Sequence, residues 1–186
     1  MSGYGILHNR MRRALPTYVE GKVVLDLGAG DLTRAEEILE AGAKRVIAVE
    51  KEDFTRLERS RWRRHITVVR QYFLQFNRDH SSEEWDVALV SWPANTVLPG
   101  LIDILSRCTT VVYIGSNLYP TSCGFPELYT YFMSREVLCD VFHYRNSFTV
   151  YGETISGIRD PTMEERAALL QCEDPFIRGP TATVLK

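Results

Sequence analysis

The sequence predicts an α/β fold: a doubly wound, mostly parallel seven-stranded sheet with helices on both faces and a C-terminal antiparallel hairpin. Apolar runs recur along the chain and alternate with amphipathic segments. The runs are continuous instead of strictly alternating, which indicates strands that are covered on both faces. Only Arg145 and Asn146 separate the last two runs, and so short a link favours a hairpin over a crossover.

The strand candidates follow from these apolar runs and from the glycines and polar residues that bound them. The first five alternate with amphipathic segments, as in a parallel sheet with helices on each side. The seven candidates are residues 22–27, 45–50, 65–70, 85–91, 110–115, 137–144 and 147–153.

The helix candidates are marked by apolar residues at helical spacing. Thr33 to Glu36 has the spacing of a capping box, which predicts a helix start at Thr33. Pro99 falls in the first turn of another candidate, where proline is tolerated. The remaining candidates are marked by Phe54, Leu57 and Trp62; by Val97, Leu101, Ile104 and Leu105; by Leu128, Tyr131 and Phe132; and by residues 6–15 and 162–170.

The length of 186 residues predicts a single domain. We divide it into an N-terminal helical segment (residues 1–20), a core (21–153) and a C-terminal helix and tail (154–186). The formal net charge of -2 excludes a strong global attraction to nucleic acid, although it leaves a local basic patch open.

Targeting and metal-binding signals are absent from the sequence. We expect no signal peptide, because Met1 to Gly5 show no charged leader followed by an apolar run, and no membrane span, because no apolar stretch reaches roughly 18 residues. The four cysteines are scattered without a CxxC pair, so we expect no metal site and free thiols in a cytoplasmic protein. They are Cys108, Cys123, Cys139 and Cys172.

A glycine turn is the most informative feature. Gly28, Gly30 and Asp31 lie between the first strand candidate and a helix, where glycine lets the backbone approach a ligand. Glu50 ends the next strand, 20 residues after Gly30, and an acid there is the usual partner of a ribose diol. The arrangement predicts a nucleotide-class pocket; the alternative is an ordinary strand-to-helix turn.

The residues around the turn favour one ligand over another. A dinucleotide site commonly has a third small residue, where this chain has Thr33. Asp26 directly precedes the turn, and a carboxylate there would repel a diphosphate. S-adenosylmethionine has no phosphate and carries an ammonium and a sulfonium, so the same carboxylate favours it over NAD.

The segment from Val24 to Gly30 resembles the first motif of class I (Rossmann-like) S-adenosylmethionine-dependent methyltransferases, and the resemblance covers about residues 20–153. It implies a seven-stranded sheet whose last strand is inserted antiparallel. It also implies that Asp26 to Gly30 face the methionine portion of the cofactor and that Glu50 binds its ribose hydroxyls. The family often has a third glycine near the position that Leu32 occupies in this chain. Gln71 or Tyr72 would serve the adenine where the family often has an acid.

The end of the fourth strand candidate resembles the fourth motif of amino-methyltransferases. Ser91 and Pro93 match that motif, whereas Trp92 replaces its first proline and Ala94 its aromatic residue. The resemblance implies that these residues hold a planar amine, with Trp92 against its flat face. The structural alternative is that Trp92 packs in the core and Pro93 ends the strand.

Arginines crowd the segment from Arg56 to Arg64. With Trp62, they predict a surface that contacts the phosphates of RNA or DNA. The alternative is a solvated helix face that Glu52, Asp53 and Glu58 balance.

The sequence therefore predicts an S-adenosylmethionine-dependent methyltransferase that acts on a nucleophile, with nitrogen favoured, and it leaves the acceptor open. The acceptor can be a protein, a nucleic acid or a small molecule. Two alternatives remain: a regulatory module that binds the cofactor without catalysis, and an NAD-dependent oxidoreductase.

Overall fold

A computed structural model of the chain describes residues 7–52, 57–93, 98–116, 128, 131–132, 134–143 and 146–154. Its strands form one seven-stranded sheet. They are β1 Val23–Leu27, β2 Arg45–Glu50, β3 Ile66–Arg70, β4 Trp85–Ser91, β5 Cys108–Ser116, β6 Arg135–His143 and β7 Asn146–Thr154. Each predicted strand is present, with its ends within two residues of the prediction.

The order of the strands in the sheet is β3-β2-β1-β4-β5-β7-β6. The first five strands in the chain pair in parallel, and β7 lies antiparallel between β5 and β6. The mostly parallel sheet and its C-terminal hairpin are therefore confirmed. Asn146, predicted in the hairpin link, is instead the first residue of β7 and pairs with His143.

Helices cover both faces of the sheet, as predicted. One apolar core contains Val24, Ile38 and Leu89, and a second contains Leu25, Phe76 and Ile104. Alternate residues of one strand point to opposite faces, which is why neighbours such as Val24 and Leu25 belong to different cores. The helices are α1 Asn9–Ala14, α2 Pro16–Val19, α3 Thr33–Glu40, α4 Phe73–Asp79 and α5 Leu98–Ser106, and Leu128, Tyr131 and Phe132 are also helical.

The arginine-rich segment is not the α-helix that Leu57 and Trp62 predicted. A 3-10 helix spans Leu57–Arg59, and turns lead from there to His65. The Ser60 hydroxyl oxygen accepts a hydrogen bond from the Trp62 N–H at 3.1 Å, which offers this backbone an alternative to helix. The His65 N–H then bonds the Trp62 carbonyl at 2.7 Å and directs the chain into β3.

Helix α4 was not predicted. Phe73 and Phe76 are its buried residues, which is only one apolar pair at helical spacing. Tyr72 precedes the helix and makes no capping hydrogen bond through its side chain. The sequence therefore carries no start signal for this helix.

Some predicted features lie outside the described residues. They are the helix over residues 162–170 with the rest of the C-terminal tail beyond Thr154, the residues Asp53, Phe54, Arg56, Ala94 and Val97, and the cysteines Cys123 and Cys172. Within the described ranges, no helix is long and apolar enough to cross a bilayer.

Candidate functional site

The candidate site lies at the carboxyl ends of the central strands. Leu27, the last residue of β1, pairs with Val49 of β2 on one side and with Val90 of β4 on the other. Because β2 and β4 flank β1, the chain leaves β1 toward one edge of the sheet and returns from β3 to its other side. In open α/β sheets, ligands bind at such a switch point, beyond the carboxyl ends of the strands.

The glycine turn begins directly after β1. Gly28 and Gly30 have φ angles of 78° and 54°, in the left-handed region that favours glycine. The N–H groups of Gly28 and Ala29 donate to the carbonyl of Val49 at 2.9 and 3.3 Å. The turn is therefore fixed against the end of β2.

Leu32 adopts a left-handed backbone conformation that a glycine would adopt without strain. Its φ is 67°, again in the left-handed region, although it carries a side chain. This conformation costs an L-residue about 1–2 kcal/mol. The Leu32 side chain is buried in the same core as Ile38, and this packing offsets the cost.

Helix α3 begins at Thr33, as predicted, but Thr33 lies inside the helix and does not occupy its capping position. Thr33 is already the first residue of the helix, and Leu32 occupies the capping position without a capping side-chain bond. The Asp31 carboxylate instead accepts the Thr33 N–H at 3.0 Å. A free N–H at the start of the helix is thus satisfied by an acid two residues earlier.

The fold brings Glu50 against the glycine turn. One Glu50 carboxylate oxygen accepts the Gly30 N–H at 3.1 Å. The other oxygen accepts the N–H groups of Lys51 and Glu52 at 2.8 and 3.3 Å. The carboxylate is therefore held at the junction of β2 and the turn, where the sequence predicted a ribose-binding acid.

Asp26 is fully buried, although we expected its carboxylate to face a ligand. Leu25 and Leu27, its neighbours in β1, belong to the core that contains Phe76. Asp26 therefore points to the opposite face of the sheet, toward the core that contains Val24 and Ile38 of α3. Neither carboxylate oxygen has a hydrogen-bond partner among the described residues. Burial raises the pKa of Asp26 to about 7; nearby Arg34 opposes this shift, and Glu50 adds to it.

Gln71 and Tyr72 follow β3 beside this junction. The Gln71 N–H donates to the Glu50 carbonyl at 3.1 Å, and its side-chain amide donates to Asp79 at 2.8 Å. The Gln71 side-chain oxygen is buried without a partner in the described part of the chain. Tyr72 is 65% exposed, and the Lys51 ammonium lies 5.8 Å from its ring centroid.

Phe73 is a site residue that the sequence reasoning missed. A Cβ added at Gly28 would lie 3.8 Å from the Phe73 Cζ atom, so the buried ring borders the turn. The available signal was its position directly after the two adenine candidates. Because no helix was predicted there, the sequence did not indicate that the Phe73 ring points toward the glycine turn.

Ser91, Trp92 and Pro93 lie level with the glycine turn at the end of β4. Ser91 is the last residue of the strand, and it pairs with Ile114 of β5. The Trp92 N–H donates to the Ile114 carbonyl at 2.8 Å, and Trp92 has a φ of 49°. Ser91 and Trp92 are half-buried, and Pro93 is buried. A non-glycine residue in this region costs about 1–3 kcal/mol and is most often found at functional sites.

Comparison with solved structures finds the same fold in other proteins. A candidate RNA methyltransferase from Pyrococcus horikoshii matches with 19% identity and a TM-score of 0.61, over 80% of this chain and 82% of that one. A ribosomal protein L11 methylase from Lactobacillus delbrueckii subsp. bulgaricus matches with 16% identity and a TM-score of 0.60, over 83% of each chain.

A protein of the NADB-Rossmann superfamily from Streptococcus agalactiae also matches, with 15% identity and a TM-score of 0.60, over 86% of this chain and 74% of that one. No protein-family model matches the chain, and no curated protein matches it significantly. At these identities the likeness concerns the fold: the chain has the Rossmann-like α/β fold that solved methyltransferases share.

Proposed function

We propose that the protein is an S-adenosylmethionine-dependent methyltransferase. The observation that carries the proposal is the buried carboxylate of Asp26, two residues before Gly28 in the chain, which has no hydrogen-bond partner among the described residues. A buried carboxylate without compensation is costly to ionise, and a neighbouring cation reduces that cost. S-adenosylmethionine offers two cationic groups, an ammonium and a sulfonium.

The same turn is unsuited to a dinucleotide. A diphosphate at a helix start binds free backbone N–H groups. Here the Gly30 N–H is bonded to Glu50, and the Thr33 N–H is bonded to Asp31. A diphosphate would have to displace two carboxylates and then lie beside them and Asp26, with like charges in close contact.

The residues of the turn and of the neighbouring strand ends fit the parts of the methyl donor. Glu50 would accept the ribose hydroxyls, and the buried Gln71 side-chain oxygen and the exposed Tyr72 ring would serve the adenine. Gly28, Gly30 and Asp31 would line the methionine portion, with Asp26 beneath it. When bound, the sulfonium compound supplies an already activated methyl group, so the protein has to position the acceptor and exclude water.

The acceptor would lie at the end of β4. The Ser91 hydroxyl or a nearby carbonyl would accept a hydrogen from the attacking nitrogen, and Trp92 would lie against the flat group that carries it. The left-handed φ of Trp92 supports this assignment, because strain is retained where a side chain must be presented in one direction. Pro93, buried beside it, would fix the backbone there.

Calorimetry with S-adenosylmethionine, S-adenosylhomocysteine and NAD tests the cofactor. We expect binding of the first two and no binding of NAD. Binding of NAD alone would contradict the proposal and favour the oxidoreductase.

Transfer of labelled methyl groups into a cell extract tests the reaction. We expect label in one of three fractions: protein, nucleic acid or small molecules. Cofactor binding without any label would favour a regulatory module that has no catalysis. We further propose that the protein acts in the cytoplasm, since Cys108 and Cys139 are free thiols.

A further inference from the structure

A cluster of exposed cations lies at the start of β2 and β3, next to the end of α3. We call it the basic surface, and it consists of Lys44, Arg45, Arg59, Arg61, Arg63 and Arg64. The backbone holds the cluster together: the Val46 N–H donates to the His65 carbonyl at 2.9 Å, and the His65 ring lies 3.4 Å from the Lys44 carbonyl.

Acidic side chains do not neutralise the basic surface within the described ranges. Glu40 pairs with Arg61, and Arg45 bonds the Thr67 hydroxyl at 3.0 Å. Three acids were expected to balance the arginines. Glu52 pairs instead with Lys51 at 3.9 Å, Glu58 is exposed and forms no ion pair with another described residue, and Asp53 lies outside the described residues. Five cations remain without an acidic partner among the described residues: Lys44, Arg45, Arg59, Arg63 and Arg64. A chain with a net charge of -2 thus concentrates positive charge in one place.

Trp62 anchors the basic surface to the body of the protein. Its ring is half-buried against the α3 core, and the Arg61 guanidinium lies 5.3 Å from the ring centroid. The His65 ring makes an edge-to-face contact with it at 6.0 Å. The arginines are therefore carried on a turn that is fixed before any partner binds, which lowers the entropic cost of binding.

The basic surface lies at the start of an edge strand whose other end is beside the candidate site. β3 is an edge strand of the sheet, and its five residues span about 17 Å at the usual rise per residue. Arg63 and Arg64 precede its start, whereas Arg70 ends it beside Glu50, with which it pairs in the register. A polyanion that follows this edge would reach the carboxyl ends of the strands, where the proposed cofactor binds.

We infer that the basic surface binds the phosphodiester backbone of a nucleic acid, and that this nucleic acid is the methyl acceptor. The second part rests on the proposed function. Arginines on a rigid turn suit phosphate oxygens, because each guanidinium can donate two hydrogen bonds to one group. Because no acidic side chain in the described ranges pairs with most of these arginines, their donors are available to phosphate there.

Fluorescence anisotropy with labelled single-stranded RNA and with DNA of the same sequence tests the inference. Each phosphate contact contributes about 0.7 to the slope of log affinity against log salt for single strands. We expect Arg64→Gln to lower the slope by about 0.7, and Arg63→Gln with Arg64→Gln to lower it by about 1.4. We expect the double variant to bind at least about tenfold more weakly at low salt.

Arg78→Gln is the matched control, because Arg78 is an exposed arginine of α4 on the other side of the sheet. We expect its slope and affinity to equal those of the unchanged protein. Stronger binding of RNA than of DNA, or equal binding of both, would support the inference. Absence of binding at low salt would overturn it, as would equal losses in Arg64→Gln and Arg78→Gln. Equal binding of polyglutamate, lost in the double variant, would overturn it in favour of an acidic protein partner.

Calorimetry with S-adenosylhomocysteine on the same variants separates this inference from the proposed function. We expect the double variant to bind it unchanged, because the basic surface lies at the opposite ends of the strands. A protein that binds the cofactor but no nucleic acid would overturn only this inference. Binding of nucleic acid without binding of the cofactor would contradict the proposed function and the claim that the nucleic acid is the methyl acceptor. It would still support the claim that the basic surface binds nucleic acid.

Discussion

The carboxyl ends of β1 and β4 both lead into a left-handed backbone conformation, but glycines adopt it after β1 and a tryptophan adopts it after β4. Both strands lead into residues in the left-handed region of φ. After β1 these are Gly28 and Gly30, with φ angles of 78° and 54°, and after β4 it is Trp92, with a φ of 49°. Glycine adopts this conformation freely, whereas tryptophan is strained in it.

The difference separates a cofactor side that is relaxed at Gly28 and Gly30, with strain left to Leu32 farther along the turn, from an acceptor side that is strained directly after its strand. Because the glycines have no side chain, the backbone of the turn can approach a ligand closely. Trp92 keeps a large side chain at an energetic cost, and its N–H bond to the Ile114 carbonyl holds it there. Strain of this kind persists only where the surroundings over-determine it, which points to a use for the indole ring.

The largest effect should come from adding a side chain to the relaxed side. Gly28→Ala should lower the affinity for S-adenosylhomocysteine about 5- to 150-fold, because the left-handed turn would shift to relieve the strain of about 1–3 kcal/mol. Calorimetry measures this loss.

Gly21→Ala is the control for that variant. Gly21 has a φ of 71° and open space around a Cβ, and it precedes β1 at the end away from the site. It should cost a similar free energy of unfolding and leave the affinity unchanged. Equal affinities in the two variants would show that the pocket lies elsewhere.

The next effect comes from removing the strained side chain. Trp92→Gly should lower methyl transfer at least about tenfold, because it removes the ring and also frees the backbone. Trp92→Phe keeps a ring in the same place and should retain most of the activity. Both variants should bind the cofactor within about twofold of the unchanged protein. Full activity in Trp92→Gly would make the residue structural.

Asp26 should give the cofactor side a pH dependence that the acceptor side lacks. Its pKa is raised to about 7 in the folded protein, against 3.8 ordinarily, so the folded state holds the proton over that interval. The stability of the free protein should therefore fall as pH rises from about 4 to about 7. A cationic ligand favours the ionised form, so cofactor affinity should rise over the upper part of this window.

Asp26→Asn tests that sign directly. Calorimetry near pH 6.5 in buffers of different ionisation enthalpy should show proton release on cofactor binding by the unchanged protein and none by the variant. The variant should be more stable than the unchanged protein above pH 7, yet bind the cofactor more weakly. Identical proton release in both proteins would contradict the ionisation of Asp26 on cofactor binding.

The smallest effect concerns the start of α3. Asp31→Ala removes the carboxylate that accepts the Thr33 N–H and should cost about 1 kcal/mol of the free energy of unfolding. Asp31→Asn keeps a side-chain oxygen and should recover most of it. Chemical denaturation measures both. An unchanged midpoint in Asp31→Ala would mean that the helix start is satisfied by other groups.

The same contrast explains what the sequence could predict. The strands were predictable because continuous apolar runs reflect burial on both faces, and the approach of Glu50 to Gly30 followed from their positions at neighbouring strand ends. The left-handed φ angles of Leu32 and Trp92 were not predictable, because neither residue type favours them and tertiary packing imposes them. Helix α4 lacked a capping signal, and the turn at Trp62 depends on contacts with the core.

The most direct test of the central claim is a crystal structure with S-adenosylhomocysteine. We expect the ribose hydroxyls to bind the Glu50 carboxylate and the amino acid portion to lie along Gly28 to Asp31, above Asp26. A ligand bound away from this turn, with Glu50 still bonded to the Gly30 N–H, would contradict it.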